Sequence, residues 1–188
     1  MLKMFRLMKM KSFTMPKRRP KNVVPLVLID LQPAFLDDEN PIIGAVISEI
    51  RSAKKKGQPI IVVELEGYGR TYGCVMDLLW GYERKIVVSK QHRDGSSSII
   101  DALEKMGVQN CSSMVICGVY LDQCVYETAA SISNKGFSVS IVAEATTEDP
   151  YSIDVIIWDR VGVSIIRRGR RETSGVSSLI KSEGEMIC

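Results

Sequence analysis

Three side chains in this 188-residue sequence have the chemistry of a nucleophilic active site. Asp30 and Lys90 each stand at the end of an apolar run, and Cys124 follows an apolar run that leads into Gly118. A thiolate is a nucleophile, a carboxylate can accept its proton and pass it to a leaving amine, and an ammonium stabilises the sulfur anion. The three residues therefore suffice for acyl transfer from an amide to cysteine, followed by hydrolysis.

The expected position of Cys124 favours its ionised form. Asp122 is predicted to cap a helix that runs to Lys135, which places Cys124 in the first helical turn. Unpaired amides and the helix dipole favour the thiolate there, and Lys90 acts in the same direction. Backbone amides of the same turn can hold the oxyanion of a tetrahedral intermediate. Each residue alone also has a structural interpretation, since a buried cysteine usually packs as a small hydrophobe.

Apolar runs bounded by glycine, proline or polar residues predict six strands with helices between them. The strands are 25–30, 59–65, 85–89, 113–117, 137–142 and 162–166, and the helices are 40–56, 75–80, 99–106, 122–135 and 150–160. Continuously apolar strands that alternate with amphipathic helices indicate a mostly parallel sheet covered on both faces. Ligands of such sheets bind beyond the carboxyl ends of the strands, where Asp30, Lys90 and Cys124 are expected to meet.

Composition and charge restrict the class of protein. The length suits one domain, and 45% hydrophobic with 25% charged residues is typical of a soluble globular chain. Residues 1–22 carry a charge of +8 without any acid, so the net charge of +3 leaves the remaining chain at −5. An acidic body argues against a nucleic-acid partner, and the lack of an apolar run of about 20 residues argues against a membrane span.

The chain divides into a basic arm (1–22), one folded domain (23–167) and a C-terminal tail (168–188). The arm has three interpretations: a flexible tail or upstream start, with Met15 as another start; a mitochondrial-type presequence; or a segment that contacts acidic surfaces. The five cysteines are Cys74, Cys111, Cys117, Cys124 and Cys188, without zinc-site spacing. We therefore expect a reducing, cytoplasmic location, with mitochondrial targeting left open.

Three motifs resemble the isochorismatase-like cysteine hydrolases. Leu26–Gln32 (LVLIDLQ) is similar to the opening strand of that family, Ile86–Lys90 (IVVSK) to its lysine strand, and Gly118–Ala129 (GVYLDQCVYETA) to its nucleophile segment. Gly136–Val139 is similar to the return from helix to strand. The resemblance extends over residues 25–166 in the family's order and spacing, and the nucleophile segment is its most specific part.

The resemblance implies a fold and a chemistry. It implies a three-layer, Rossmann-like α/β fold with a six-stranded sheet, and assembly into dimers or tetramers. It makes Asp30 the base and acid, Lys90 the activating cation and Cys124 the nucleophile, with the amides of Tyr120 and Cys124 facing the oxyanion after a cis bond between Val119 and Tyr120. The expected reaction is hydrolysis of a small amide or carbamoyl-type C–N bond through a thioester. Vinyl ether cleavage is less favoured, because isochorismatases proper generally lack the cysteine.

Neither a metal nor an organic cofactor is expected. Nicotinamidases of the family hold a metal with an Asp-x-His pair and another histidine, whereas residues 64–68 (ELEGY) contain none, and His92 is the only histidine. A nicotinamidase is therefore disfavoured. The glycines of residues 67–73 do not have dinucleotide-binding spacing, and the next strand ends in Lys90 rather than an acid for a ribose.

Tyr120 is the departure that raises an alternative function. The family usually has a small residue or threonine there, so the tyrosine either narrows the pocket, points its ring away or marks a non-catalytic binding protein on the same fold. Tyr68, Tyr72 and Trp80 are candidate pocket-lining residues for a planar substrate, or contacts to a neighbouring subunit.

Overall fold

The computed structural model describes residues 23–37, 40–148 and 162–168. These residues form six strands, four α-helices and one π-helical turn. In chain order they are β1 (Leu26–Ile29), α1 (Ile42–Lys55), β2 (Ile60–Leu65), α2 (Gly73–Leu78), β3 (Lys85–Lys90), α3 (Ser96–Lys105), β4 (Ser113–Val119), the π-helical turn Leu121–Val125, α4 (Tyr126–Asn134), β5 (Ser138–Thr147) and β6 (Val163–Ile166). None of the described helices has the length and apolar character needed to cross a bilayer.

The six strands form one sheet in the order β3-β2-β1-β4-β5-β6, and every neighbouring pair is parallel. The strand order reverses direction between β1 and β4, which makes the gap at their carboxyl ends the topological switch point of the sheet. Residues directly after these two strands therefore border the crevice in which an open α/β sheet binds its ligand. Asp30 follows β1, and Cys124 follows β4.

Alternation of side chains along the strands separates two cores on opposite faces of the sheet. Leu28, Val62 and Cys117 pack with α1 and α2 on one face. Ile29 and the other alternate residues pack with α3 and α4 on the second face, in the same cluster as Cys124. These two helical layers around the sheet confirm the predicted three-layer fold.

The strand and helix predictions hold for the described residues, with differences near Cys124. Gly118 continues β4 instead of starting a turn, because β5 extends to Thr147 and pairs with Gly118 and Val119. Asp122 does not cap a helix: it lies within the π-helical turn, and α4 begins only at Tyr126. The predicted arm 1–22, helix 150–160 and residues 169–188 of the predicted tail lie outside the described residues.

Gly118 is the point of closest approach between β4 and β1. It has a φ of 135°, and an added Cβ would lie 2.0 Å from the carbonyl oxygen of Ile29. Backbone atoms of the central strand cannot yield at that distance, so only glycine permits this contact. The close approach brings the residue before Asp30 against the segment that leads to Cys124.

We expect Gly118→Ala to lower the free energy of unfolding by about 3 kcal/mol or more, because the new methyl group overlaps the β1 backbone. Gly44→Ala is the matched control, since its added Cβ meets nothing within 4 Å. Removing a glycine from helix α1 should raise stability by about 0.5–1 kcal/mol. Urea denaturation of both variants measures the difference, and similar values would contradict the close contact.

Candidate active site

Asp30 leaves β1 through a tight turn at the switch point. Its φ of 52° is in the left-handed region, which aspartate adopts more readily than most residues. Its amide donates to the carbonyl of Val63 at 2.9 Å, and its own carbonyl accepts from the amide of Gln32 at 2.8 Å. The turn thus positions the Asp30 side chain at the carboxyl edge of the sheet while the strand pairing is kept.

Lys90 and Asp30 form a buried ion pair. Lys90 Nζ lies 2.8 Å from Asp30 Oδ2, and the two side chains are only 2% and 1% exposed. Because β2 lies between β3 and β1, the lysine side chain has to pass the end of β2 to reach the carboxylate. Removing two charges from water is costly even when they are paired, so a pair of this kind is weak evidence for stability.

Cys124 joins this pair from the π-helical turn. The peptide bond between Val119 and Tyr120 is cis, at the position implied by the resemblance. The carbonyl of Tyr120 accepts hydrogen bonds from the amides of Gln123 and Val125, both at 3.1 Å. The Cys124 thiol is buried beside Asp30 and Lys90, whose charges both act on it. The structure therefore brings the three sequence-predicted residues together.

The thiol of Cys124 is not stabilised as a thiolate in this arrangement, contrary to the expectation from sequence. Burial and the negative charge of Asp30 together raise the pKa of Cys124 to about 11, because the charge of Lys90 offsets only part of their effect. Cys124 lies in the first turn of the helical segment, as predicted, but that turn is π-helical and runs directly into α4. The resting site therefore holds a neutral thiol beside an ion pair.

The pKa of the Asp30 carboxyl is raised as well, with burial again as the main cause. The charge of Lys90 offsets part of that effect. A carboxylate with a raised pKa is a stronger base than one in water, so it is better suited to take a proton from a neighbouring thiol.

Tyr120 packs its ring against the turn that follows β1. Its hydroxyl donates to the carbonyl of Phe35 at 2.6 Å, and the two rings meet edge-on at 6.1 Å. Tyr68 also packs against Phe35, with its ring centroid 4.9 Å from that of Phe35. The Tyr120 ring is therefore directed toward Phe35 and is held there by the hydrogen bond of its hydroxyl.

The other two aromatic candidates lie in different surroundings. Tyr72 is buried in the core beside α1, and its hydroxyl donates to the carbonyl of Leu36. Trp80 is 86% exposed and follows α2 on the way to β3. Its neighbour Tyr82 donates to the carbonyl of Gln58 at 2.6 Å, before β2 begins, so this segment lies at the amino edge of the sheet.

The described residues do not fit a protein-bound metal. No group of three or more His, Cys, Asp or Glu side chains with metal-site geometry occurs among them. Glu64, at the strand end where nicotinamidases have their metal-binding pair, accepts a hydrogen bond from the amide of Thr71 at 2.8 Å. His92 is exposed.

Two polar residues that support the site were missed from the sequence. The buried Gln32 amide donates to the carbonyls of Leu65 and Gly69, at 3.0 and 2.7 Å, and so fixes the loop after β2. The buried Thr128 hydroxyl accepts from the amide of Gly95 at 2.9 Å. Thr128 carried a usable signal, because it lies four residues after Cys124 and so on the same side of the helix.

Solved structures with the same fold include several hydrolases. Nicotinamidase SaPncA from Staphylococcus aureus is 20% identical, with 68% of this chain and 85% of that chain covered and a TM-score of 0.58. N-carbamoylsarcosine amidase from Thermoplasma acidophilum is 18% identical, with 80% and 99% covered and a TM-score of 0.61. The Escherichia coli YcaC gene product, an octameric hydrolase of unknown specificity, is 18% identical, with 82% and 80% covered and a TM-score of 0.61.

Identities this low show a shared fold and leave the substrate open. No curated protein matches the sequence significantly. The isochorismatase domain family, however, matches residues 25–150, which include Asp30, Lys90 and Cys124. This match confirms the resemblance inferred from the sequence motifs. The chain belongs to the isochorismatase domain family.

Proposed function

We propose that this protein is a cysteine hydrolase that cleaves a C–N bond of a small amide or carbamoyl-type compound. The observation that carries the proposal is the contact of a buried thiol with a buried ion pair: Lys90 Nζ and Asp30 Oδ2 are 2.8 Å apart, and Cys124 lies within reach of both. Burying two charges without a chemical role is unfavourable compared with apolar packing. The amidase fold of N-carbamoylsarcosine amidase supports the same class of substrate.

In the proposed reaction, Asp30 takes the thiol proton as the sulfur of Cys124 attacks the substrate carbonyl carbon. The amides of Tyr120 and Cys124 stabilise the resulting oxyanion, and Lys90 offsets the remaining negative charge. The C–N bond then breaks, and Asp30 returns the proton to the departing amine. Asp30 next accepts a proton from water, which hydrolyses the thioester, releases the acid and restores the thiol.

The raised pKa of Cys124 fits this sequence of events. A free-standing thiolate would react with any electrophile, whereas a neutral thiol is activated only when its proton moves to Asp30. The same electrostatics argue that Asp30 and Cys124 share one proton between them, since burial and mutual repulsion disfavour two anions in contact.

We also propose that the protein assembles into a homo-oligomer, either a dimer or a tetramer. The YcaC gene product, which has the same fold, is octameric. Trp80, 86% exposed, and Val87 on edge strand β3, 38% exposed, offer apolar surface for such contacts. Light scattering on the purified chain should give the mass of a dimer or tetramer; a mass of 20.9 kDa at micromolar concentration would contradict this.

The next prediction concerns the balance of charges that sets the pKa of the Cys124 thiol. Asp30→Asn should lower the pKa of Cys124, because it removes the carboxylate charge that raises it, and Lys90→Met should raise it. The pH dependence of iodoacetamide labelling, followed residue by residue with mass spectrometry, measures both shifts. A fall of one pKa unit increases labelling about tenfold at a pH below the pKa.

Cys117 and Cys111 provide the controls for that measurement. Cys117 is a fully buried free thiol and should label only if a variant unfolds. The half-buried Cys111, whose pKa is also raised by burial, reports the reactivity of a thiol without the Asp30–Lys90 pair beside it. Cys74 is disulfide-bonded and is unsuited as a reference. Slower labelling of Cys124 in Asp30→Asn, with Cys117 still protected, would contradict the proposed electrostatics.

A further prediction separates the reactivity of the Cys124 thiol from the turnover of amide substrates. Asp30→Asn should label faster at Cys124 yet lose amide hydrolysis, because no base remains to receive and return the proton. Cys124→Ala should lose both while its thermal unfolding resembles that of the parent. Ammonia release from a panel of small amides and carbamoyl compounds measures turnover, and a mass shift on Cys124 after rapid acid quenching detects the acyl-enzyme.

An active Cys124→Ala variant would refute the nucleophile. A different result would support the alternative of a binding protein on the same fold. In that case the parent protein binds members of the panel without hydrolysing any of them, and Cys124→Ala binds them with the same affinity.

A further inference from the structure

The ammonium of Lys90 is oriented by more than its ion pair. Its Nζ lies 2.8 Å from Asp30 Oδ2 in the ion pair, and it donates a hydrogen bond to the carbonyl oxygen of Arg93, also at 2.8 Å. A lysine ammonium has three donors, and Cys124 lies within reach of it. The position of the Arg93 carbonyl therefore helps to decide how the ammonium points toward the carboxylate and the thiol.

The Arg93 carbonyl belongs to the segment 91–95, which joins β3 to α3 and is anchored by Thr128. The Thr128 hydroxyl accepts a hydrogen bond from the amide of Gly95 at 2.9 Å and donates to the Arg93 carbonyl at 3.4 Å. Thr128 is fully buried, as is Gly95, so water does not readily replace these bonds. Loss of the hydroxyl would leave a buried amide without its acceptor.

Segment 91–95 also packs directly on the lysine side chain. A Cβ added at Gly95 would lie 3.2 Å from Cδ of Lys90 and 3.5 Å from Oγ1 of Thr128. The glycine therefore lies between the two side chains with little free space. A shift of this backbone would be passed to the lysine stem as well as to the carbonyl that binds its ammonium.

We propose that Thr128 is a positioning residue that holds the Lys90 ammonium between Asp30 and Cys124 by fixing segment 91–95. The proposal rests on the proposed function and deepens it. Thr128 lies in α4, four residues after Cys124, so the segment that carries the nucleophile also carries the anchor of the cation. Cys124 and Thr128 lie on one continuous helical segment, formed by the π-helical turn and α4. The residue that anchors the cation therefore keeps a fixed distance from the nucleophile.

The remaining polar contacts of segment 91–95 do not reach the ammonium. Arg93 pairs with Glu127 at 3.7 Å on the surface, where both side chains are about half exposed and the pair contributes little. The Asp94 carboxylate accepts from the amide of Ser96 at 2.7 Å, at the start of α3. Asp30 and Lys90 are thus the charged groups that contact the thiol among the described residues.

Three variants test the proposal. Thr128→Val keeps the shape of the side chain and removes the hydroxyl, whereas Thr128→Ser keeps the hydroxyl. Glu127→Gln is the control, because it removes only the surface ion pair between Glu127 and Arg93. We expect labelling of Cys124 by iodoacetamide at pH 8.5 to slow about fivefold in Thr128→Val, the effect of one lost hydrogen bond. Thr128→Ser should restore the parent rate, and Glu127→Gln should equal the parent throughout.

The outcomes separate this proposal from the proposed function. If Thr128→Val melts at a lower temperature but labels at the parent rate and pH dependence, while Lys90→Met labels more slowly, Thr128 is only structural and the positioning role is overturned. If Lys90→Met also labels at the parent rate, the cation does not act on the thiol, and the proposed role of Lys90 fails with it. Slow labelling in Thr128→Val with rescue by Thr128→Ser supports positioning.

Discussion

The buried ion pair between Lys90 and Asp30 is the constraint on which the rest of the site depends. Two charges removed from water need close contact and further hydrogen bonds to be tolerated. The structure supplies close contact between the two charges and a hydrogen bond from Lys90 to the Arg93 carbonyl, and the thiol of Cys124 lies nearby. The parts of β3, of segment 91–95 and of the π-helical turn that surround the pair are therefore tied to one another through it.

The topology of the sheet determines which residues can lie beside this ion pair. The reversal of strand order between β1 and β4 opens the sheet at their carboxyl ends, and the glycine at 118 lets the two backbones approach there. A carboxylate from one strand and a thiol from the turn after the other then border the same crevice. A lysine on β3 can join them because its side chain is long enough to pass β2.

The electrostatics of the site assign the proton to the sulfur in the resting state. Burial disfavours every charge that is not paired, and Lys90 can compensate only one anion. Asp30 takes that place, so the thiol of Cys124 stays neutral with a pKa of about 11. In the proposed reaction, this arrangement keeps the thiol unreactive until Asp30, which lies beside it, takes its proton.

The sequence by itself determined the strands, their parallel arrangement and the three central residues, because apolar runs that end in Asp30 and Lys90 are local patterns. It also marked Tyr120 as unusual without showing that its ring turns to Phe35. Only the tertiary structure decided the raised pKa of Cys124, the hydrogen bonds of Thr128 and the position of Trp80 away from the site. Each of these depends on distances between residues far apart in the chain, and burial and charge act through such distances rather than through spacing along the sequence.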